Sequence, residues 1–248
     1  MGTQRRIVRE RVRQTATRSG LVLSREVITD AALRLIAEHG SDALSVRRLG
    51  AALEASPTAI YRHFTDMDDL VLEVADRLIG VSLEGFERGP DWREDLRELA
   101  HRVHRVYLEQ PRVAALVAAR TTGRVNESRI IEVLLAVIGS AGFDDAETVS
   151  VYRAYADLVL AFSGIDAAFS ALPQPIGDAD RARWEADHAL VSPTTHPTLT
   201  RLASLLAEQA GTSAFETALE LFLDGVEGHL ERKRRSARGR PTDPRSAD

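Results

Sequence analysis

The sequence predicts an all-α fold, with a small three-helix unit near the N-terminus and a larger helical body after it. Three observations predict it. Apolar residues recur at three- and four-residue spacing in segment after segment, the period of a helix packed on one face. Ser, Asp and Asn stand ahead of those segments while Gly and Pro stand after or between them, as helix starts and stops require. No run shows the two-residue alternation with turn signals that a strand needs, and no internal repeat is visible.

The elements follow in order. Residues 1–23 hold Arg5, Arg6, Arg9, Arg11, Arg13 and Arg18 with little apolar periodicity. They read as a disordered basic arm, suited to tracking a phosphate backbone or entering a minor groove. Ser24 opens a helix over 25–39, with Ile28, Ala31, Ala32, Leu35 and Ile36 on one face and Gly40 just past its end. Residues 45–53 (SVRRLGAAL) follow, capped by Ser45, with Val46, Leu49 and Leu53 inward. After a break at Glu54–Pro57, residues 58–64 (TAIYRHF) form a second short helix, Pro57 suiting its first turn. Two short helices joined by a few residues describe a helix-turn-helix. Asp66 caps the next helix, Asp68 and Asp69 suit its positive end, and its apolar residues carry it toward residue 88.

The remainder reads as helix throughout: 91–109, Pro111 to about Arg120, 126–141, and a long segment from the cap Asp144 through Leu172. Residues 173–180, with two prolines and a glycine, read as a break before a short helix at 181–191. Helices at 198–210 and 213–234 close the body. The division is an arm (1–23), a helix-turn-helix domain (24–70), a helical body (71–232) and a disordered basic tail (233–248).

Composition narrows the function. At 248 residues the chain suits one or two domains, and 44% hydrophobic residues suffice for a core. The absence of cysteine excludes disulfides, thiolate zinc sites and cysteine nucleophiles, and fits a reducing, cytoplasmic setting. No apolar run approaches the ~18 residues of a membrane span, and no apolar signal core follows the basic N-terminus, so neither membrane nor export is expected. Net charge is −5, but residues 1–66 hold 11 Arg against 7 Asp and Glu, a balance of +4 that leaves −9 for the rest. A basic end on an acidic body suits a local polyanion contact; a plain gradient of solvated charge accounts for the same numbers. The sequence has no phosphate loop, no G-x-S-x-G, no H-E-x-x-H and no di-carboxylate helix pair, so no enzyme and no cofactor is expected. His101 and His104 share a helix face, but nothing fixes a further ligand beside them, so no metal is expected.

At residues 44–72 the chain reads LSVRRLGAALEASPTAIYRHFTDMDDLVL, with I-Y-R-H-F at 60–64 before an acidic cap and Leu70. This stretch resembles the tetracycline-repressor (TetR) family of bacterial regulators. The resemblance covers about residues 24–80 and implies double-stranded operator DNA as partner. It implies a DNA-facing set of Ser45, Arg47, Arg48, Ser56, Thr58, Ala59, Tyr61, Arg62 and His63. Arg47 is the expected base reader, since Arg pairs bidentately with guanine. Thr58 and Ala59 are small enough to meet a thymine methyl, and Tyr61 and His63 can hold phosphates, which positions without reading sequence. Packing between helices is the competing role for Tyr61 and His63, and a solvated face for the two arginines. Two positions depart from the family pattern. Glu54 stands where the turn usually has Gly, which asks a non-Gly residue for a costly backbone. Met67 stands where a phosphate-binding Lys is usual, leaving the helix-end amides as the phosphate site.

For the body, the resemblance implies a small-molecule effector whose binding favours a state that lets go of DNA. Polar residues on otherwise apolar helices, His104, Tyr107, Tyr152, Tyr155 and Trp184, with Asp157, Asp166 and His188 beside them, are the candidate anchors of a mostly apolar pocket. Symmetric half-sites call for a homodimer. The long helix 145–171 and the last helix can supply a four-helix interface or serve as core helices. Two other functions stay open from residues alone: a helical adaptor with a degenerate head, and a helical enzyme.

Overall fold

The computed structural model describes residues 22–189, 191–209 and 211–238, and these are helical with no strand. They divide into two compact units, one ending at Val74 and the other beginning at Ala75.

The first unit holds α1 (Arg25–His39), α2 (Val46–Ala52), α3 (Pro57–Ile60) and the start of α4 (Met67–Leu83). The caps read from sequence are present. Ser24 accepts from the Val27 amide, Ser45 from Arg48, and Asp66 from the Asp69 amide at 2.8 Å. Each satisfies an amide the helix cannot. Ile28, Ala32 and Ile36 of α1 close a core with Leu49, Ile60, Phe64, Leu70 and Val74. The second helix of the motif is shorter than its apolar spacing predicts. α3 ends at Ile60, and the chain tightens there, His63 donating its amide to the Ile60 carbonyl at 2.9 Å. Such three-residue bonds wind the backbone too tightly for an α-helix to go on. Most of the basic arm lies outside the described residues; its last member, Leu23, is buried rather than free.

The second unit contains α5 (Trp92–Glu109), α6 (Pro111–Val117), α7 (Val125–Ser140), α8 (Asp145–Ala171), α9 (Gln174–Ala189), α10 (Pro197–Glu208) and α11 (Phe215–Arg238). The 27-residue α8 is the spine, packed against α5, α6, α7 and α11. Asp144 and Glu147 open it with a reciprocal capping box. At Gly164 it runs so close to α6 that a Cβ would lie 2.9 Å from the Ala118 side chain, so only glycine fits. The core joins Leu96, Leu99, Leu134, Ile138, Tyr155, Val159, Leu219 and Leu223.

Two expectations about this unit are corrected. The stretch 173–180 is not a break before a short helix at 181–191, because α9 already starts at Gln174. Pro175 sits in the first turn, where its missing N–H has no partner to lose, and the Pro173 carbonyl accepts from Ile176 at 2.9 Å. The tail does not begin at 233 either. α11 continues to Arg238, with Lys233 bonded to the Glu147 carboxylate and Arg234 donating to the Ala141 carbonyl at 3.3 Å. Those anchors extend an end that is polar by composition. Residues 239–248 lie outside the described ones.

Candidate functional site

The helix-turn-helix is shaped by two backbone constraints. Gly50 lets the turn close: a Cβ there would stand 2.7 Å from the Ala55 carbonyl oxygen, while the Ala55 amide donates to the Gly50 carbonyl at 2.9 Å. Glu54 carries a φ of +51°, the left-handed backbone foreseen for a residue in a glycine's place. The chain then leaves Ser56 as cap of α3, its Oγ accepting from the Ala59 amide at 3.2 Å.

These constraints set what faces outward. Arg47, Arg48, Ser56, Thr58 and Arg62 are exposed, Ser45 and His63 are half-buried, and Tyr61 is 44% exposed despite its aromatic ring. Arg48 borders a surface hollow with Leu35, His39 and Ala51. The Ser45 and Ser56 hydroxyls accept from helix amides and keep an O–H to donate to a phosphate. Ala59 is corrected. It is 8% exposed and packs inward beside Ile60, since one turn of helix cannot present every residue, and it is not available to a base.

At the start of α4, the expected phosphate site, carboxylates already hold nearby amides. The Thr65 amide donates to Asp69 Oδ2 at 2.9 Å and the Asp69 amide to Asp66 Oδ1. Of the amides at this helix end, that of Asp69 is taken by the chain's own Asp66 carboxylate.

Sequence reasoning missed Arg25. Its guanidinium lies 4.2 Å over the Phe64 ring. It donates to the His63 carbonyl at 2.5 Å and to Glu73 at 2.6 and 3.2 Å, with Asp69 at 3.5 Å. Burial opposes its charge, but the bonds and attraction to Glu73 and Asp69 prevail and raise its pKa. Arg25 thereby pins the end of the motif to α1 and α4. Its partners are 38 to 48 residues away, so no local pattern announces it.

In the second unit, α4, α5, α6, α7 and α8 enclose a cavity of about 100 Å³. Four of its residues, Ala75, Leu78, Ile79 and Ser82, belong to α4. Three predicted anchors line it: Tyr107, Tyr152 and Tyr155. Tyr155 is spent on structure, its hydroxyl donating to the Leu96 carbonyl at 2.6 Å. His104 and Trp184 are corrected, since neither lines the cavity. His104 stacks on Phe215 with ring centres 4.0 Å apart and pairs with Asp166 at 2.8 Å, tying α5 to α8 and α11. Its neighbour His101 turns to Glu216 at 2.8 Å. Trp184 is exposed on α9, and the His188 side chain lies outside the described ones. Arg120 and Glu127 also line the cavity and were not foreseen.

Comparison with known proteins agrees with this arrangement. The family model for bacterial regulatory proteins of the tetR family matches residues 28–74, and that for the tetracyclin repressor-like C-terminal domain matches residues 87–230. The chain is similar to an HTH-type transcriptional regulator of Saccharopolyspora erythraea, 30% identical over 144 residues, covering 58% of this chain and 61% of that one. It is 26% identical over 208 residues to the tetracycline repressor protein class C of Escherichia coli, covering 83% of this chain and 91% of the repressor. Among solved structures it shares its fold with the Streptomyces coelicolor TetR family protein ActR in complex with actinorhodin. That likeness has a TM-score of 0.74 at 21% identity, over 84% of this chain and 96% of the other. With an N-terminal helix-turn-helix of this form, an all-helical body around a cavity, and family matches to both, the chain belongs to the tetracycline-repressor family of bacterial transcriptional regulators.

Proposed function

We propose that the protein is a ligand-responsive repressor that binds a palindromic operator as a homodimer and is released from it by a small-molecule effector. The observation that carries this reading is α4. One continuous helix starts beside the helix-turn-helix at Met67 and supplies four residues of the cavity wall between Ala75 and Ser82. A cavity of about 100 Å³ is smaller than the ~150 Å³ that holds a benzene. An effector larger than that must push the wall outward, and α4 is part of the wall. A ligand that binds the expanded state more tightly shifts the population toward it, about tenfold for each 1.4 kcal/mol of difference.

On the DNA side, Arg47 reads bases while Tyr61, Ser56, Arg62 and His63 hold phosphates. With carboxylates rather than a Lys at the start of α4, the Arg-rich segment before residue 22 supplies the remaining phosphate affinity. Dimerisation is supported by unpartnered apolar surface. In α8 and α11, Val149, Ile165, Phe169 (65% exposed) and Leu221 (68% exposed) face outward. Exposed apolar surface of this extent on long helices marks an interface. The relative named as a tetracycline repressor supports the sign of regulation.

The test is fluorescence anisotropy at low salt with the duplex flanking the protein's own gene and an unrelated duplex, alongside a solution mass. The proposal expects a dimer that prefers the flanking duplex and weakens steeply with salt. A chain that ignores every duplex at low salt is not this regulator.

A further inference from the structure

We propose that the effector taken by this cavity is a neutral, largely apolar molecule that presents an uncharged acceptor oxygen, such as a ketone or ester carbonyl, to the Tyr107 hydroxyl. The inference rests on the regulator reading and names the ligand class for its pocket.

Most polar groups of the wall are already bonded. Ser82 donates to the Ile79 carbonyl at 2.7 Å, and Tyr155 to the Leu96 carbonyl. Glu127 accepts from the Gly123 amide at 2.6 Å and from Thr122. Tyr107 differs from these, and it is more deeply buried than Tyr152, the half-buried tyrosine of the same wall. It is 5% exposed and lines the cavity, and its hydroxyl makes no hydrogen bond among the described residues. No group among the described residues bonds this hydroxyl, so a ligand in the cavity can supply the bond in place of water. Burial pushes the Tyr107 phenol up to about 12, so it stays protonated; its oxygen can also accept, but a phenol O–H donates more strongly than its ring-conjugated oxygen accepts. The complement is an acceptor.

Neutrality follows from the rest of the wall. Leu78, Ile79, Val103, Ile131, Leu134 and Val159 offer nothing to a charge, which loses its hydration on entry. The two ionic side chains, Arg120 and Glu127, oppose each other in sign, and Glu127 is already engaged. The acceptor belongs on a single ring or a molecule of similar breadth, since at about 100 Å³ the cavity must already grow to admit one ring and would have to grow further for anything larger.

Three single-ring probes of nearly equal shape test this: acetophenone, α-methylstyrene, which replaces the carbonyl oxygen by a methylene, and benzoate, which is charged. Each is titrated by ligand-observed NMR into the wild-type protein and Tyr107→Phe. For probes this small, dissociation constants in the millimolar range are expected. Wild type should bind acetophenone about fivefold more tightly than α-methylstyrene, the effect of one neutral hydrogen bond, and benzoate more weakly than either. Tyr107→Phe should remove that preference and leave α-methylstyrene unchanged. Should the variant not fold, the wild-type preference for acetophenone over α-methylstyrene decides. Benzoate binding at least as tightly as acetophenone overturns the proposal, as does an unchanged preference in Tyr107→Phe or no acetophenone binding at millimolar concentration. The same samples are tested on duplex DNA. Ketone binding through Tyr107 without DNA binding sinks the regulator reading alone, and DNA binding without ketone preference sinks the ligand class alone.

Discussion

Replacing Glu54 by glycine should stabilise the protein, although it removes a side chain and creates no contact. The residue sits at φ +51° in the turn of the helix-turn-helix. Holding a non-glycine residue in left-handed backbone costs about 1–2 kcal/mol. Glycine escapes that strain but loses about 0.5–1 kcal/mol through the greater freedom of its unfolded chain. The balance is a gain of about 0.5–1 kcal/mol for Glu54→Gly. Glu54→Ala keeps the strained backbone and should stay within about 0.5 kcal/mol of wild type, as exposed substitutions do. Gly50→Ala should act in the opposite direction. Its Cβ would meet the backbone oxygen of Ala55 at 2.7 Å, and overpacking against backbone costs about 1–3 kcal/mol. Urea denaturation followed by circular dichroism gives the three midpoints, and hydrogen exchange at the Ala55 amide reports the turn locally. If Glu54→Gly is no more stable than Glu54→Ala, the turn does not hold the strained backbone described here.

Three further outcomes are expected. Arg25→Met removes the cation over Phe64 and its bonds to Asp69, Glu73 and the His63 carbonyl; with Arg25 partly exposed, a loss of about 1–2 kcal/mol in urea midpoints is expected, with DNA affinity falling on all sequences alike. Tyr155→Phe removes a buried bond to the Leu96 carbonyl and should cost about 1 kcal/mol by the same measurement while leaving the fold intact. Hydrogen bonds from Arg97 lower the Glu220 pKa from 4.5 to about 2, and Lys233 with the Asp144 amide does the same for Glu147. Groups lowered on folding stabilise above their unfolded pKa, so this contribution is full above about pH 4.5 and lost as pH falls toward 2. Urea midpoints across that window should drop less steeply for Glu220→Gln than for wild type.

The sequence discloses what local chemistry decides. Ser24, Ser45, Asp66, Asp91 and Asp144 each cap the helix that follows them. They are legible because a cap satisfies amides two or three residues away. The strain at Glu54 is legible for the same reason. Features that depend on distant partners are not. Arg25 meets Glu73 across 48 residues, and His104 meets Asp166 across 62, so one functional support was unseen and one structural histidine passed for a ligand anchor. The end of α11 follows from Lys233 finding Glu147 on another helix. The burial of Ala59 is not legible, because one turn of helix fixes too few positions to assign a face.

The outward face of this short motif is expected to read DNA through Arg47 and to hold it through Tyr61. The most direct test is the affinity of wild type, Arg47→Ala and Tyr61→Phe for a duplex selected by the wild-type protein and for a scrambled duplex, at one salt concentration. Arg47→Ala should lose about 1–3 kcal/mol on the selected duplex and little on the scrambled one, while Tyr61→Phe should weaken both by a similar factor. Equal weakening of both duplexes by Arg47→Ala would contradict the account.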